Sequence, residues 1–127
     1  MPYGYEPEEW SKLVAAAERI LARVATAGAV ITYGDFAAEL EEATSIAFDR
    51  HGTHMDNLLG DVYERIYKRR KVSITSIVVL KDTQMPGVGF WNMSQLMGLF
   101  NPRKHDKDEF WIKALQAVHA SYKSGGK

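Results

Sequence analysis

The stretch from Ile74 to Trp91, ITSIVVLKDTQMPGVGFW, constrains the fold more than any other part of the chain. Residues 77–80 are a short β-branched apolar run, which predicts a buried strand. Residues 86–89, PGVG, follow. The proline fixes one φ, and the two glycines permit a positive φ or close backbone approach, which predicts a tight tip. The aromatic pair at 90–91 returns the chain to apolar character. We therefore predict a hairpin or wing against which the flanking helices pack.

Hydrophobic periodicity predicts several helices around this strand. The first follows Glu6 and Pro7, which favour a helix start, and Gly28 favours its end. A second short extended segment is expected at 30–33, and a polar loop at 41–52. The predicted helices cover about residues 8–27, 34–40, 54–70, 92–99 and 107–122.

These elements predict an α+β fold that is mostly helical and contains a small sheet. With 127 residues, the chain is long enough for one hydrophobic core, so we predict a single domain over 1–127. Residues 124–127, SGGK, have nothing to bury and predict a mobile tail.

The composition excludes several classes of protein. The chain has no cysteine, which excludes disulfides, thiolate nucleophiles and cysteine-based metal sites. No run approaches the roughly 18 apolar residues of a membrane span, and the first residues are too polar for a signal peptide. We therefore expect a cytoplasmic protein with no membrane partner.

The net charge of zero conceals a strong asymmetry between the two halves. Residues 1–64 contain 12 acidic and 4 basic side chains, whereas residues 65–127 contain 4 acidic and 12 basic ones. One interpretation is a bipolar surface whose basic face binds an anionic partner. The other is that the two halves neutralise each other within one fold.

A group of cations at the end of the predicted 54–70 helix is the strongest functional signal. Such a group can neutralise several phosphates, and each neutralised phosphate adds affinity through counterion release. Lys81 and the cations at 103–107 would extend the basic track. The alternative is that these cations complement the negative end of the helix dipole and face solvent. The group consists of Arg65, Lys68, Arg69, Arg70 and Lys71.

A sulfur-containing and aromatic group lies around the predicted wing. Such side chains form part of a core, or, where they are exposed, an adaptable surface for a protein partner. The group that would contact a partner consists of Met85, Pro86, Gly87, Gly89, Phe90 and Trp91, with Met93 and Met97 nearby.

His51 and His54, flanked by Asp49 and Asp56, are the only residues with the chemistry of a metal or acid–base site. A helix that starts near residue 54 leaves His51 in a loop, so nothing directs both rings toward one point. We interpret them as solvated loop residues, and we predict no metal and no cofactor. A separate histidine, His119, is expected to be partly buried and hydrogen-bonded.

Residues 31–37, ITYGDFA, resemble the T-Y-G-x-[IL]-A segment of the O6-alkylguanine alkyltransferases and their alkyltransferase-like relatives. In those proteins the segment opens a DNA-binding winged helix. The resemblance implies a winged-helix-like core at 30–91, an N-terminal helix at 1–29 and a C-terminal helical pair at 92–123. Their Pro-Cys-His-Arg active site corresponds here to residues 74–77, ITSI, which lack the cysteine, so alkyl transfer is not implied.

The second half of the chain is similar to a set of small uncharacterised bacterial proteins. They share the pattern L-G-D-V…S-x-V-V-x-K-D-T-x-M-P-G-x-G-F, which reads LGDV at 59–62 and SIVVLKDTQMPGVGF at 76–90 here. This resemblance implies no activity.

Three functions remain as hypotheses. The first is a non-enzymatic nucleic-acid-binding module that contacts the phosphate backbone of DNA or RNA through Tyr33, the cations and the wing. Little sequence selectivity is expected, because Asp61 near the start of the 54–70 helix would repel phosphate. The alternative is an interaction or adaptor protein that uses the Met-aromatic group. The third is an enzyme that uses His51, His54 and Asp56.

Overall fold

The computed structural model describes residues 4–48 and 53–123, and this part contains five α-helices and two short strands. The predicted mostly helical α+β class is confirmed. The predicted polar loop at 41–52 begins later than expected, because the helix before it continues to Thr44. Residues 49–52 of this loop and the predicted mobile tail at 124–127 lie outside the described residues. The helices are α1 (Pro7–Thr26), α2 (Tyr33–Thr44), α3 (Thr53–Arg70), α4 (Val88–Leu96) and α5 (Lys107–Lys123), and the strands are β1 (Ile31–Thr32) and β2 (Val78–Val79).

Helix α1 follows the sequence prediction closely. Pro7 occupies its first turn, and the Glu9 carboxylate accepts a hydrogen bond from the Glu6 backbone N–H at 3.1 Å. Gly28, with a φ of 68°, follows its end. The predicted apolar stripe is buried, and it consists of Trp10, Leu13, Val14, Ala17, Ile20, Leu21 and Val24.

Helix α3 lies beside α1, and the two helices run in the same direction. The Trp10 indole N–H donates to the Asp61 carboxylate at 2.8 Å, and Arg69 forms an ion pair with Glu18 further along both helices. Both pairs join residues 51 positions apart in the sequence, so the register between the helices is constant.

Helix α4 packs on the other side of α3. Gly89 lies against Asp56, and one turn later Gly60 lies against Met93. Helix α3 is therefore flanked by α1 on one side and by α4 on the other.

The predicted β-hairpin is wrong. Strand β2 pairs with β1 in parallel, with Ile31 opposite Val78 and Thr32 opposite Val79. After β2 the chain passes through a turn-rich loop at 80–87 and enters α4, so the aromatic pair lies on a helix and not on a returning strand. The physical reason is burial, because the helix places Phe90 at 4% and Trp91 at 6% exposure.

Phe90 and Trp91 belong to an aromatic cluster with Tyr63 and Phe100. The three methionines near the predicted wing pack against this cluster as partly buried side chains. The interpretation of the Met-aromatic group as core is therefore confirmed for its two rings. Helix α5 closes the structure, and its Trp111 indole N–H donates to the Ser76 carbonyl at 2.8 Å.

Candidate functional site

The predicted cations lie at the C-terminal end of α3, and most of them are on the surface. The side chains of Lys68 and Arg69 are 71% and 61% exposed. Arg65 and Lys71 are also exposed, whereas Arg70 is half-buried. Four of the five predicted cations are therefore accessible to an anionic partner.

Two of these cations have carboxylate partners. The Lys68 ammonium lies 3.4 Å from the Glu64 carboxylate one turn earlier, and Arg69 pairs with Glu18 of α1. Ion pairs between exposed side chains contribute only about 0–1 kcal/mol each. The exposed Glu64 therefore presents a small barrier to an incoming phosphate, whereas Glu18 is only 24% exposed.

Arg70 has a structural role. Its guanidinium lies 3.9 Å from the centroid of the Tyr122 ring and donates to the Ser121 hydroxyl at 3.0 Å. A guanidinium stacked on an aromatic ring forms a cation–π interaction that is strongest where water is excluded. Arg70 thus links the end of α3 to the end of α5.

The C-terminal ends of α3 and α5 meet at this basic group, and the chain just after α1 contacts α5. Arg70 joins the end of α3 to α5, and a His119 ring nitrogen lies 2.9 Å from the Ala29 carbonyl oxygen just after α1. This confirms His119 as a partly buried, hydrogen-bonded residue. Because C-terminal carbonyls carry partial negative charge, cations here also stabilise the helix ends.

Tyr33 and Lys81 lie elsewhere, in an open cleft of about 540 Å³. The starts of α2, α3 and α4 all border this cleft, and the Gly87 backbone N–H donates to the Tyr33 hydroxyl at 2.8 Å. Burial raises the pKa of Tyr33, and the nearby Asp56 carboxylate adds to the rise, while the Gly87 hydrogen bond opposes it. Tyr33 is therefore a neutral hydroxyl at physiological pH.

The cleft and the basic group are at opposite ends of α3. Asp56, which borders the cleft, precedes Lys68 by 12 residues. At a helical rise of 1.5 Å per residue, the separation is about 18 Å. The structure thus brings Tyr33, Lys81 and Gly87 together, and places Arg65 and Lys68 at a second, separate patch.

The partner-binding residues predicted around the wing divide into two groups. Pro86, Phe90 and Trp91 are buried, whereas Met85, Gly87 and Gly89 are half-buried. The large exposed apolar side chains of α4 are Val88, at 67%, and Leu96, at 79%. Sequence reasoning missed both, although they lie eight residues apart, which places them near one face of a helix.

The histidine site does not form in the described part of the chain. The His54 ring packs edge-on to Tyr5 at 5.2 Å, whereas Asp56 faces Tyr33 and Gly89. His54 is half-buried on α3, so its prediction as a solvated loop residue is wrong. Asp49 and His51 lie outside the described residues. Over 4–48 and 53–123, no three His, Cys, Asp or Glu side chains are grouped to hold a metal ion.

No helix in the described ranges combines the length and apolar character needed to cross a membrane. Comparisons of the chain with protein-family models, with curated proteins and with solved structures find no match.

Proposed function

We propose that the chain is a non-enzymatic module that binds the phosphate backbone of nucleic acid through the C-terminal end of α3. The observation that carries this proposal is the exposure of four cations within seven residues at one helix end. These four cations are Arg65, Lys68, Arg69 and Lys71. Their two carboxylate partners, the exposed Glu64 and the half-buried Glu18, form ion pairs that phosphates can replace.

Backbone contact with little base selectivity fits the rest of α3. A helix that reads bases usually inserts its N-terminal part into the major groove. Here that part presents Asp56, Asp61 and, further along, Glu64, which repel phosphate. The cations therefore position the chain along the backbone, which carries no sequence information by itself.

The cleft with Tyr33 and Lys81 provides a second contact for the same strand. The straight distance of about 18 Å along α3 corresponds to about five phosphates at 3.4 Å per step, so a strand that passes around Asp61 and Glu64 needs more than five. In this proposal the core at 30–91 acts as a winged-helix-like unit, with the loop at 80–87 in the place of the wing. The cytoplasm remains the expected compartment.

The test is a fluorescence anisotropy titration with labelled single-stranded and duplex DNA and RNA at low salt. We expect dissociation constants of about 1–100 µM, as is typical of non-specific binding. The variant Lys68→Gln/Arg69→Gln/Lys71→Gln should weaken binding by about tenfold or more. Absence of binding to every probe would remove the proposal.

A matched control variant removes the same number of positive charges from another part of the surface. The variant Lys12→Gln/Arg23→Gln/Lys113→Gln removes the same number of exposed cations from α1 and α5. It should bind nearly as well as the parent chain. Equal losses in the two triple variants would show that net charge, and not the α3 end, accounts for the affinity.

A protein-interaction module is the second candidate. The exposed Val88 and Leu96 favour it, because large apolar side chains on one helix are a common feature of contact surfaces. The buried Phe90 and Trp91 cannot provide that surface without unfolding α4.

A further inference from the structure

Helix α4 buries one face and leaves another face uncovered. Phe90 and Trp91 belong to the aromatic cluster, whereas Val88, Asn92 and Leu96, which follow one another at four-residue steps, are exposed. Residues at this spacing lie near one face of a helix. Val88 and Leu96 are the two most exposed large apolar side chains of the described ranges. Their presence on one face of a short helix indicates a contact surface.

A groove of about 340 Å³ runs beside this face, between α3 and α4. Gly60 and Gly89 line the groove without side chains, and the Met93 thioether fills part of its floor. The contact of Gly89 with Asp56 and that of Gly60 with Met93 are one turn apart on both helices. Helices α3 and α4 therefore run in the same direction, and the groove follows both of them.

The two walls of the groove differ in their chemistry. The α3 wall carries the carboxylates of Asp56, Asp61 and Glu64, and no lysine or arginine of the described ranges lines the groove. Asp56 and Glu64 are exposed, whereas Asp61 is half-buried and held by the Trp10 indole N–H. The α4 wall carries the amide of Asn92 and the apolar side chain of Leu96. One wall is therefore acidic, and the other presents apolar surface.

The charged and apolar features have the same spacing on the two walls. Asp56 and Glu64 are eight residues apart on α3, and Val88 and Leu96 are eight residues apart on α4, so each pair spans about 12 Å. Two turns of a helix have nearly this length, and residues seven or eight positions apart lie on one helix face. A helix laid along the groove can therefore place two apolar side chains on the α4 wall and two cations on the α3 wall.

We propose that the groove between α3 and α4 docks a basic amphipathic helix of another protein. Charge complementarity selects this partner, because the carboxylates of the α3 wall attract a basic helix and repel an acidic one. An amphipathic helix in an apolar groove is a common mode of peptide recognition. The exposed pair of Glu64 with Lys68 is weak and does not block the groove. This inference names a partner for the protein-interaction candidate and does not rest on nucleic-acid binding.

The test is a fluorescence anisotropy titration of the full chain into a labelled synthetic peptide at about 0.1 M salt. The peptide has about 15 residues of alanine, leucine and lysine, with leucines at three- and four-residue steps and lysines on both sides of this stripe. We expect this striped peptide to bind, and to bind more weakly as salt is added. A permuted peptide of the same composition without the stripe should bind at least about tenfold more weakly. A peptide with glutamate in place of each lysine should also bind at least about tenfold more weakly.

Variants of the apolar wall show whether the peptide occupies this groove. Val88→Ser/Leu96→Ser should weaken binding of the striped peptide by about tenfold, because the leucine stripe loses its apolar contacts. Val30→Ser/Ile112→Ser is the matched control, since it also removes two exposed apolar side chains, from positions outside the groove. The control should bind as the parent chain does. Far-ultraviolet circular dichroism should show all these variants folded, because every changed side chain is exposed.

Variants of the acidic wall test the charge complementarity. Asp56→Asn/Glu64→Gln should weaken binding by about two- to tenfold and make it less dependent on salt. Glu8→Gln/Glu42→Gln removes the same charge from exposed positions on α1 and α2 and should leave binding nearly unchanged.

Four results would each overturn the proposal. They are the absence of binding by the striped peptide, equal binding of the striped and permuted peptides, equal losses in the groove and control variants, and a dimer in sedimentation velocity that Val88→Ser/Leu96→Ser dissociates. The last result would assign the groove to a second copy of the chain. Lys68→Gln/Arg69→Gln/Lys71→Gln keeps both walls and should bind the striped peptide at least as tightly as the parent chain. A failure of nucleic-acid binding is therefore distinguishable from a failure of this proposal.

Discussion

The Gly87 backbone N–H donates a hydrogen bond to the Tyr33 hydroxyl at 2.8 Å, and this contact joins the start of α4 to the start of α2. The two residues are 54 positions apart in the sequence. Gly87 has a φ of −78°, a backbone conformation that any residue can adopt. A Cβ at this position would lie only 2.8 Å from the Tyr33 hydroxyl oxygen. Close approach, and not an unusual φ, is therefore why a glycine fits here.

The contact predicts coupled effects of two substitutions. Tyr33→Phe should lower the free energy of unfolding by about 1 kcal/mol, because the Gly87 N–H loses its acceptor. Gly87→Ala should lower it by about 1–3 kcal/mol through the clash with the hydroxyl. The double variant should lose less than the sum, because removing the hydroxyl makes room for the new methyl group. Urea unfolding measures all three values.

Gly60→Ala is the control for this experiment. A Cβ on Gly60 would meet only the Met93 side chain, at 3.9 Å, which is ordinary contact. Because glycine within a helix is unfavourable, this variant should be neutral or more stable by up to about 1 kcal/mol. Strict additivity of Tyr33→Phe and Gly87→Ala would contradict the proposed clash.

The tyrosines predict how stability depends on alkaline pH. Burial is the main cause that raises the pKa values of Tyr33, Tyr63 and Tyr122. The folded-state pKa values lie above the unfolded ones. The contribution of these tyrosines to the free energy of unfolding is therefore present below about pH 10 and is lost as the pH rises further. The free energy of unfolding should therefore fall as the pH rises above about 10.

Urea unfolding across this alkaline range measures the decline. Tyr33→Phe should make it shallower, since one of the three groups no longer titrates. All other groups are the same in parent and variant, so the difference between the two curves isolates Tyr33. Identical slopes would show that Tyr33 titrates alike in the folded and unfolded chain.

A buried chain of hydroxyl groups predicts a large effect for Tyr63→Phe. The Ser73 hydroxyl donates to the Tyr63 oxygen at 3.0 Å, and Tyr63 and Ser94 share a hydrogen bond at 2.8 Å. All three residues are buried, so the substitution leaves two serines without this partner. The expected loss in free energy of unfolding is about 1–3 kcal/mol. Tyr67→Phe, at a half-buried neighbouring ring, should change it by less than about 0.5 kcal/mol.

The separation of the two patches predicts that binding depends on oligonucleotide length. A strand of about 12 nucleotides can reach from Lys68 to Lys81, whereas one of about 3 nucleotides cannot. Lys81→Gln should therefore weaken binding of the longer strand and leave binding of the shorter strand unchanged. Equal effects of Lys81→Gln on both lengths, measured by calorimetry, would exclude a shared path.

Much of the helical frame was predictable because its signal is local. The α1 stripe repeats at three- and four-residue steps, and a helix is the only regular element that buries such a stripe. The start of α4 was predicted wrongly, as part of a hairpin, because its signal is not local. Residues 86–89 have the composition of a turn, and only the parallel pairing of Ile31 with Val78 and the burial of Phe90 show that a helix follows.

In the candidate site, too, only the features with a local signal were predictable from the sequence. The cations at the end of α3 fall within seven residues, so the sequence alone reveals them. The ring contact of Arg70 with Tyr122 and the contact of Tyr33 with Gly87 in the cleft are non-local, and no periodic pattern encodes them. Likewise, the exposure of Leu96 depends on which face of α4 packs against α3.

The salt dependence of DNA binding shows how many phosphates the end of α3 neutralises. For the parent chain, the logarithm of the binding constant should fall linearly with the logarithm of the salt concentration. Each phosphate that the protein neutralises contributes about 0.7–0.9 to the slope. Lys68→Gln/Arg69→Gln/Lys71→Gln should reduce the slope by about two to three, whereas Lys12→Gln/Arg23→Gln/Lys113→Gln should leave it nearly unchanged. An unchanged slope in the first variant would contradict phosphate binding by the end of α3.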